Sequence, residues 1–290
     1  MPRVLLRLLA FAAIMMLPLL LLPKTGTTIE KPMANEPVAS SDMQEQRETS
    51  DGETPLPSEN EIASDSTDPE QPTYPGVTTA RILRGGNGKP GIRIHYPVTG
   101  NAAVDEDLKK WLTDRADSFE KESDAETGDG GERPDNYSQW ELSVSFAISK
   151  PQPEIFSVIF NVYSYQGGVH GNLSIVCRNY NLSTGKRLDL SDLFRNPEKA
   201  LVLMSAWSRK ELSKNLGKDA DDAMIHAGTE PDTANFGNLM LTPEGLNIEF
   251  SPYQVASWAE GQQQVVMPLS ELAEAGPERN IWPNAPEPQR

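Results

Sequence analysis

The chain has 290 residues, a formal net charge of −16 at pH 7, one cysteine and three histidines. Such an acidic balance disfavours nucleic acid and anionic lipid as partners. A single cysteine excludes an intrachain disulfide, and the histidines do not show the spacing of metal ligands, so we predict neither a metal site nor a cofactor. The sequence also lacks a nucleophile elbow, a phosphate-binding loop and a dinucleotide fingerprint, and it therefore assigns no catalytic residue.

Residues 1–26 have the pattern of an export signal, with Arg3 and Arg7 preceding an apolar run from Leu8 to Leu22. Basic residues before the run place the rest of the chain outside the cytoplasm. The run is shorter than the about 20 residues of a spanning helix, and no small-residue cleavage site follows it closely. A cleaved signal peptide and a signal anchor both stay open, and we favour the anchor. We expect a protein of the periplasm or cell surface, anchored in the membrane by this segment or secreted.

Residues 27–79 predict a disordered acidic linker. The segment holds twelve acidic residues against two basic ones, seven scattered prolines and no apolar periodicity. Such a composition cannot bury enough apolar surface to offset the entropy of ordering.

The first elements of the domain are two short strands within residues 80–97, joined by a glycine-rich turn. Asn101 is a candidate N-cap for an amphipathic helix that we expect to end at Phe119 and to lie across a sheet. The acidic, glycine-rich residues 120–136 predict an exposed loop, and apolar alternation over residues 137–149 predicts the next strand.

The clearest β pattern lies in residues 155–190. Alternate apolar residues from Phe156 to Val162 share one face of a strand. The segment 167–172 contains three glycines, which indicates backbone with positive φ or a close approach, and residues 183–185 form a second short turn. We predict three strands in an antiparallel meander.

Three motifs in this region resemble a known family. The motif GGVHGN at 167–172 precedes a strand and NYNLSTGKRLDLSDLF at 179–194, and LNIEFSPYQVASWAEGQQQVVM at 246–267 resembles a closing hairpin. Together they resemble the extracytoplasmic domain of the RsiV anti-sigma factors, which also occurs beside the deacetylase PdaC. The resemblance covers roughly residues 81–275 and implies a ligand that is a cell-wall component or a lysozyme-like cationic protein. Only seven residues precede the apolar run and no deacetylase domain is present, so we expect neither sigma-factor sequestration nor that domain's activity.

The second half of the domain begins with Ser191 as the expected cap of a short turn. A helix from Asn196–Pro197 to about Leu216 follows, and Gly217 ends it. We interpret three aspartates as the start of another helix rather than as a calcium site. They are Asp219, Asp221 and Asp222.

Two hairpins and a short helix complete the expected domain. The first hairpin uses residues 236–250, and the second pairs residues 253–256 with 263–269. Ser270 is expected to cap the last helix, and residues 277–290 to form a loose tail. The sum is an α+β fold over residues 80–276, with an antiparallel sheet of about seven or eight strands and two main helices.

Five residues near the glycine turn and the closing hairpin are candidate ligand-binding residues, because loops carry function disproportionately. They are Tyr165, Gly168, His170, Asn172 and Tyr253. His170, framed by glycines, either contacts a ligand or hydrogen-bonds locally and locks the turn. Cys177 is interpreted as a packing residue.

The function that these observations favour is a non-enzymatic binding or sensing module of the cell envelope, with peptidoglycan or a lysozyme-like protein as candidate ligand. The alternative is a glycan-modifying enzyme, or an accessory subunit of one, that uses His170. A structural envelope protein without a small ligand is the third possibility.

Overall fold

The computed structural model describes residues 74–126 and 137–287. The export segment and residues 27–73 of the expected linker lie outside the described residues. The last residues of the expected linker, 74–79, are described and belong to the folded domain. Tyr74 and Val77 are partly buried against the core, and the first strand begins at Thr78. Among the helices of the described ranges, none combines the length and apolarity needed to cross a membrane.

A six-stranded sheet forms the first part of the fold, with its strands side by side in chain order. They are β1 (Thr78–Gly86), β2 (Lys89–Val98), β3 (Glu141–Gln152), β4 (Ile155–Tyr165), β5 (Asn172–Asn181) and β6 (Lys186–Leu188). The predicted meander of residues 155–190 is confirmed as β4, β5 and β6, which pair antiparallel. The β2–β3 pair is parallel, contrary to the purely antiparallel expectation, because a helix connects these two strands and returns the chain to the same end.

That helix, α1, spans Ala102–Glu126 and begins as predicted at Asn101, whose Oδ1 accepts hydrogen bonds from the backbone N–H of Ala103 and Val104. It covers one face of the sheet. The helix continues seven residues beyond the expected end at Phe119, because Ser123 extends the buried stripe while the charged residues around it face solvent. The predicted loop is therefore shorter, and its remaining residues 127–136 lie outside the described ranges.

A partly buried polar contact joins α1 to β5. Arg178, only 7% exposed, donates to Asp107 Oδ2 over 2.8 Å, and the Tyr180 hydroxyl donates to the same oxygen over 2.6 Å. The Arg178 guanidinium also lies 4.3 Å from the centroid of the Trp111 ring. Burial, reinforced by the hydrogen bond to Asp107, raises the pKa of the Tyr180 hydroxyl.

Three helices follow the first sheet. α2 spans Leu190–Leu193, α3 spans Pro197–Leu216 and α4 spans Asp222–Gly228. The start of α3 at Asn196 and its end at Gly217 are confirmed. Asp221 caps α4, as the interpretation of the three aspartates requires. The expected cap of α2 is wrong, because Asp189 rather than Ser191 takes that position and accepts the Ser191 backbone N–H.

The remaining strands form a separate three-stranded antiparallel sheet in the order β7 (Leu239–Thr242), β8 (Gly245–Phe250) and β9 (Gln263–Pro268). The first predicted hairpin is confirmed as β7–β8. The second is wrong, since β9 pairs with β8 and residues 253–256 form turns. Tyr253 has a φ of +70°, which is incompatible with a strand.

The C-terminal residues also differ from expectation. A 3₁₀ helix, Leu269–Ala275, follows β9 directly without a side-chain cap from Ser270. The tail, predicted to be loose, is packed as far as it is described. Ile281 and Trp282 are buried, and the Trp282 Nε1–H donates to the Thr242 carbonyl over 2.8 Å. Apolar burial of a tryptophan outweighs the effect of the prolines around it.

The two sheets meet where β7 lies against β3, β4 and β5. Ser157 Oγ accepts the Leu241 N–H over 2.9 Å and donates to Asn179 Oδ1 over 2.6 Å, and Asn179 Nδ2 donates to the Leu239 carbonyl over 2.9 Å. Cys177 packs beside them against Met240, as the packing interpretation predicts, and burial raises the pKa of its thiol. The α+β class with two main helices is thus confirmed, with nine strands in two sheets among the described residues.

Candidate functional site

The turn between β4 and β5 projects from the end of the larger sheet, and its tip, Val169, is fully exposed. Gly167 and Gly168 have φ values of +90° and +94°, which a side chain would strain. The Tyr165 hydroxyl donates to the Gly168 carbonyl over 3.2 Å. A Cβ at Gly171 would lie 2.4 Å from the Tyr163 ring. The turn therefore needs its glycines for two reasons, positive φ and close packing.

His170 is held in this turn by two contacts. Its ring stacks on Trp258 with 4.5 Å between centroids and 14° between planes. Its Nδ1 lies 2.9 Å from the Gly171 carbonyl oxygen, which can only accept, so this nitrogen carries a proton. The local hydrogen bond that we considered as the alternative role is present, and yet the side chain stays exposed. The local role is therefore present in the structure, and the ligand-contact role of His170 stays a prediction.

Tyr253 reaches the same place from the smaller sheet. Its ring lies 5.8 Å from Trp258 at 31°, and the residue is 57% exposed. Its left-handed backbone belongs to the turns between β8 and β9, and Trp258 begins a short 3₁₀ helix in the same connection. We call His170, Tyr253 and Trp258 the aromatic cluster. It is an exposed surface shared by loops of both sheets.

The structure brings together some of the predicted residues and separates others. Gly168 and His170 lie in the β4–β5 turn, and Tyr165, the last residue of β4, bonds to Gly168. Tyr253 joins His170 through Trp258. Asn172 is exposed at the first position of β5, where it pairs with Ser164 of β4. Sequence reasoning missed Trp258. Its signal was a tryptophan in a polar loop only five residues after Tyr253.

The aromatic cluster is open to solvent rather than enclosed. Clefts of about 410 and 680 Å³ lie among the described residues, and neither of these is lined by a cluster residue. Within the described ranges no group of three His, Cys, Asp or Glu side chains is placed to hold a metal ion. What the cluster offers chemically is aromatic surface with a few polar edges, which suits stacking and hydrogen bonding to a ligand.

Two family models match successive parts of the chain. The model described as Deacetylase PdaC matches residues 89–173, and the model described as Protein of unknown function (DUF3298) matches residues 191–270. A curated relative, the peptidoglycan-N-acetylmuramic acid deacetylase PdaC of Bacillus subtilis (strain 168), is 28% identical over 223 residues. That match covers 77% of this chain but only 45% of the relative, so the chain spans less than half of that protein.

Two solved structures are also similar. A DUF3298 family protein from Bacteroides fragilis NCTC 9343 has a TM-score of 0.50 at 14% identity, covering 71% of this chain and 95% of its own. A DUF3298 family protein from Pseudomonas aeruginosa PAO1 has a TM-score of 0.49 at 15% identity, with 74% and 98% covered. The similarity to the Bacteroides fragilis protein shows that the two chains share a fold. These matches support a domain of the PdaC/DUF3298 type, and the RsiV part of the resemblance stays a prediction.

Proposed function

We propose that this chain, which carries a domain of the PdaC/DUF3298 type, is an extracytoplasmic binding module for the glycan of the cell wall. The observation that carries the proposal is the aromatic cluster. The printed name of the curated relative, a peptidoglycan-N-acetylmuramic acid deacetylase, supports the cell wall as the source of the ligand. The export pattern of residues 1–26 supports a location outside the cytoplasm.

An exposed aromatic surface suits a sugar ligand because a pyranose ring has an apolar C–H face and polar edges. The apolar face packs on an aromatic ring, while the hydroxyl groups bond to polar atoms or water. His170 and Tyr253 both contact Trp258, and both are exposed to solvent. The aromatic cluster therefore offers more than one ring to a sugar ligand.

The cluster is also arranged before any ligand arrives. Tyr165 and Tyr163 pack on the glycine turn from within, and the stack on Trp258 restrains the ring of His170. A surface that is ordered in advance loses less conformational entropy on binding. This supports recognition of a repetitive polymer, for which a modest affinity at each site is sufficient because many sites lie together.

The test is co-sedimentation of the full-length chain, kept in mild detergent, with purified peptidoglycan sacculi. We expect saturable binding that Trp258→Ala weakens at least about fivefold, since one stacking contact contributes roughly 1 kcal/mol. His170→Phe should retain more binding than His170→Ala, because it keeps a ring on Trp258. Val169→Ala is the matched control, as it alters the same turn at a fully exposed residue without ring contacts.

Binding that all variants share equally would remove the aromatic cluster from the proposal. If sacculi do not bind but lysozyme does, in a manner sensitive to Trp258→Ala, the ligand is a cationic protein rather than glycan. The acidic charge of the chain is compatible with that partner.

A second candidate function is modification of the same glycan, with His170 as the reactive group or with this chain as an accessory subunit. The printed name of the curated relative favours it. Its test is acetate release from sacculi. Release that His170→Ala abolishes while binding persists would establish an enzyme, and the absence of release would leave the binding function alone.

A further inference from the structure

A cleft of about 410 Å³ lies between the second half of α1 and the sheet face that this helix covers. Its floor is apolar and contains Leu142 and Val162. Its volume falls within the range of small-molecule sites, about 300–1,000 Å³. The aromatic cluster does not contribute to it, so it is a distinct place in the fold.

Arg115 is the cationic group of this cleft. The residue is only partly exposed, and its guanidinium lies 5.9 Å from the Trp111 ring. Within the described part of the chain, no carboxylate or carbonyl oxygen lies within hydrogen-bonding distance of the guanidinium. Burial lowers the pKa of Arg115, and the charge of Glu122 opposes that shift. An arginine of this kind has its planar set of N–H donors available for an anion.

The wall opposite Arg115 consists of small polar groups. Ser164, near the end of β4, and Ser174, near the start of β5, both line the cleft. Gln166 begins the glycine turn, and its Nε2 donates to Ser123 Oγ of α1 over 3.3 Å. Hydroxyl and amide groups beside an apolar floor match a ligand that has both a hydrocarbon face and polar substituents.

The cleft also contains two acidic residues, Asp114 and Glu122, which limit where an anion can bind. Asp114 is paired with Lys110 over 2.6 Å, which offsets its charge. Glu122 lies seven residues beyond Arg115 on α1, a separation of about 10 Å along the helix. The charge of Glu122 still acts on the Arg115 guanidinium, so we expect a ligand whose carboxylate bonds to Arg115 to offer an N–H to Glu122.

We propose that this cleft binds the carboxylate of a cell-wall fragment, with Arg115 as the anchor and the serines and Gln166 as hydrogen-bonding partners. The choice of a wall fragment rests on the proposed function. The carboxylate has two possible sources, the lactyl group of an amino sugar that carries no peptide, or the peptide of one that does. Both the cleft and the aromatic cluster lie at the end of the sheet where β4 turns into β5, one on each side of that turn.

The test is isothermal titration calorimetry on the full-length chain with three probes. N-acetylmuramic acid carries the lactyl carboxylate, N-acetylglucosamine is the same sugar without it, and the dipeptide L-Ala-D-Glu carries carboxylates without a sugar. We expect at least one carboxylate probe to bind tenfold or more tightly than N-acetylglucosamine. Arg115→Gln should weaken that binding at least tenfold, while Lys121→Gln, an equal change of charge at an exposed position of α1, should not.

The two carboxylate probes separate the sources, and a preference for either supports the cleft. Equal binding of N-acetylglucosamine, full binding by Arg115→Gln, or no binding of any probe would overturn it. Trp258→Ala gives the independent comparison. Sacculus binding that responds to this variant but not to Arg115→Gln leaves the proposed function standing without the cleft. Probe binding that depends on Arg115, without any sacculus binding, does the reverse.

Discussion

Replacement of Ser157 by alanine tests whether the buried contact between the two sheets holds them together. Ser157 is fully buried, and its hydroxyl bonds both to the Leu241 N–H and to Asn179 Oδ1. Alanine leaves that backbone donor and that side-chain acceptor without partners in a buried interface. An unsatisfied buried group costs about 1–3 kcal/mol, so we expect a loss of roughly 2–4 kcal/mol in the free energy of unfolding.

Urea unfolding of the full-length chain, followed by tryptophan fluorescence, measures this loss. With an m-value of roughly 3 kcal/mol/M, the midpoint should fall by about 0.7–1.3 M. Ser145→Ala is the control, since it makes the same change at a partly exposed position of β3 and should alter stability by less than about 0.5 kcal/mol.

A double-mutant cycle with Asn179→Ala separates the contact from its surroundings. The two substitutions remove one shared hydrogen bond, so their combined cost should be smaller than the sum by about 0.5–3 kcal/mol. Additive costs, or a Ser157→Ala protein as stable as the wild type, would refute the reasoning that this contact joins the sheets.

Three further predictions concern single side chains. Gly171→Ala should displace the Tyr163 ring, which lies 2.4 Å from the added Cβ, and should therefore reduce sacculus binding and change the fluorescence of the cluster; unchanged spectra would contradict this. Asp189→Ala should lower stability by about 1 kcal/mol at pH 7 in urea melts. Hydrogen bonds from Ser191 lower the pKa of Asp189. The contribution of Asp189 to stability is therefore complete above the ordinary pKa range of a carboxylate and is lost as the pH falls through its pKa in the folded protein. A substitution that costs as much at pH 3 as at pH 7 would argue against a charged cap. Cys177 should react with a thiol reagent at pH 8 at least a hundredfold more slowly in the native chain than in urea, because it is buried and its pKa is raised; similar rates would show that the sheets open readily.

The elements that the sequence predicts correctly are those with local signals. Asn101, Asn196 and Gly217 each act within one helical turn, so their side chain or backbone freedom determines where a helix starts or ends. The meander of residues 155–190 is local in the same sense, because short turns join neighbouring strands.

The features that the sequence does not reveal depend on contacts between distant residues. The tail looks loose until Trp282 is seen to bond to Thr242, forty residues earlier. The two sheets pack against each other through contacts such as that of Ser157 with Leu241, a separation of 84 residues. His170 and Tyr253 could be proposed from their loops, but Trp258, which joins them, has meaning only in the folded chain.

The aromatic cluster has a consequence for how such a domain can be inherited. His170 lies in the segment that matches one family model, whereas Tyr253 and Trp258 lie in the segment that matches the other. A gene that acquired either segment alone would encode none of the stacked surface, only an unmatched histidine or an unmatched pair of rings. If the surface is under selection, the two segments must be inherited together. Recombination between residues 173 and 191 should be tolerated only when the incoming segment has a loop that completes the aromatic cluster with the retained one.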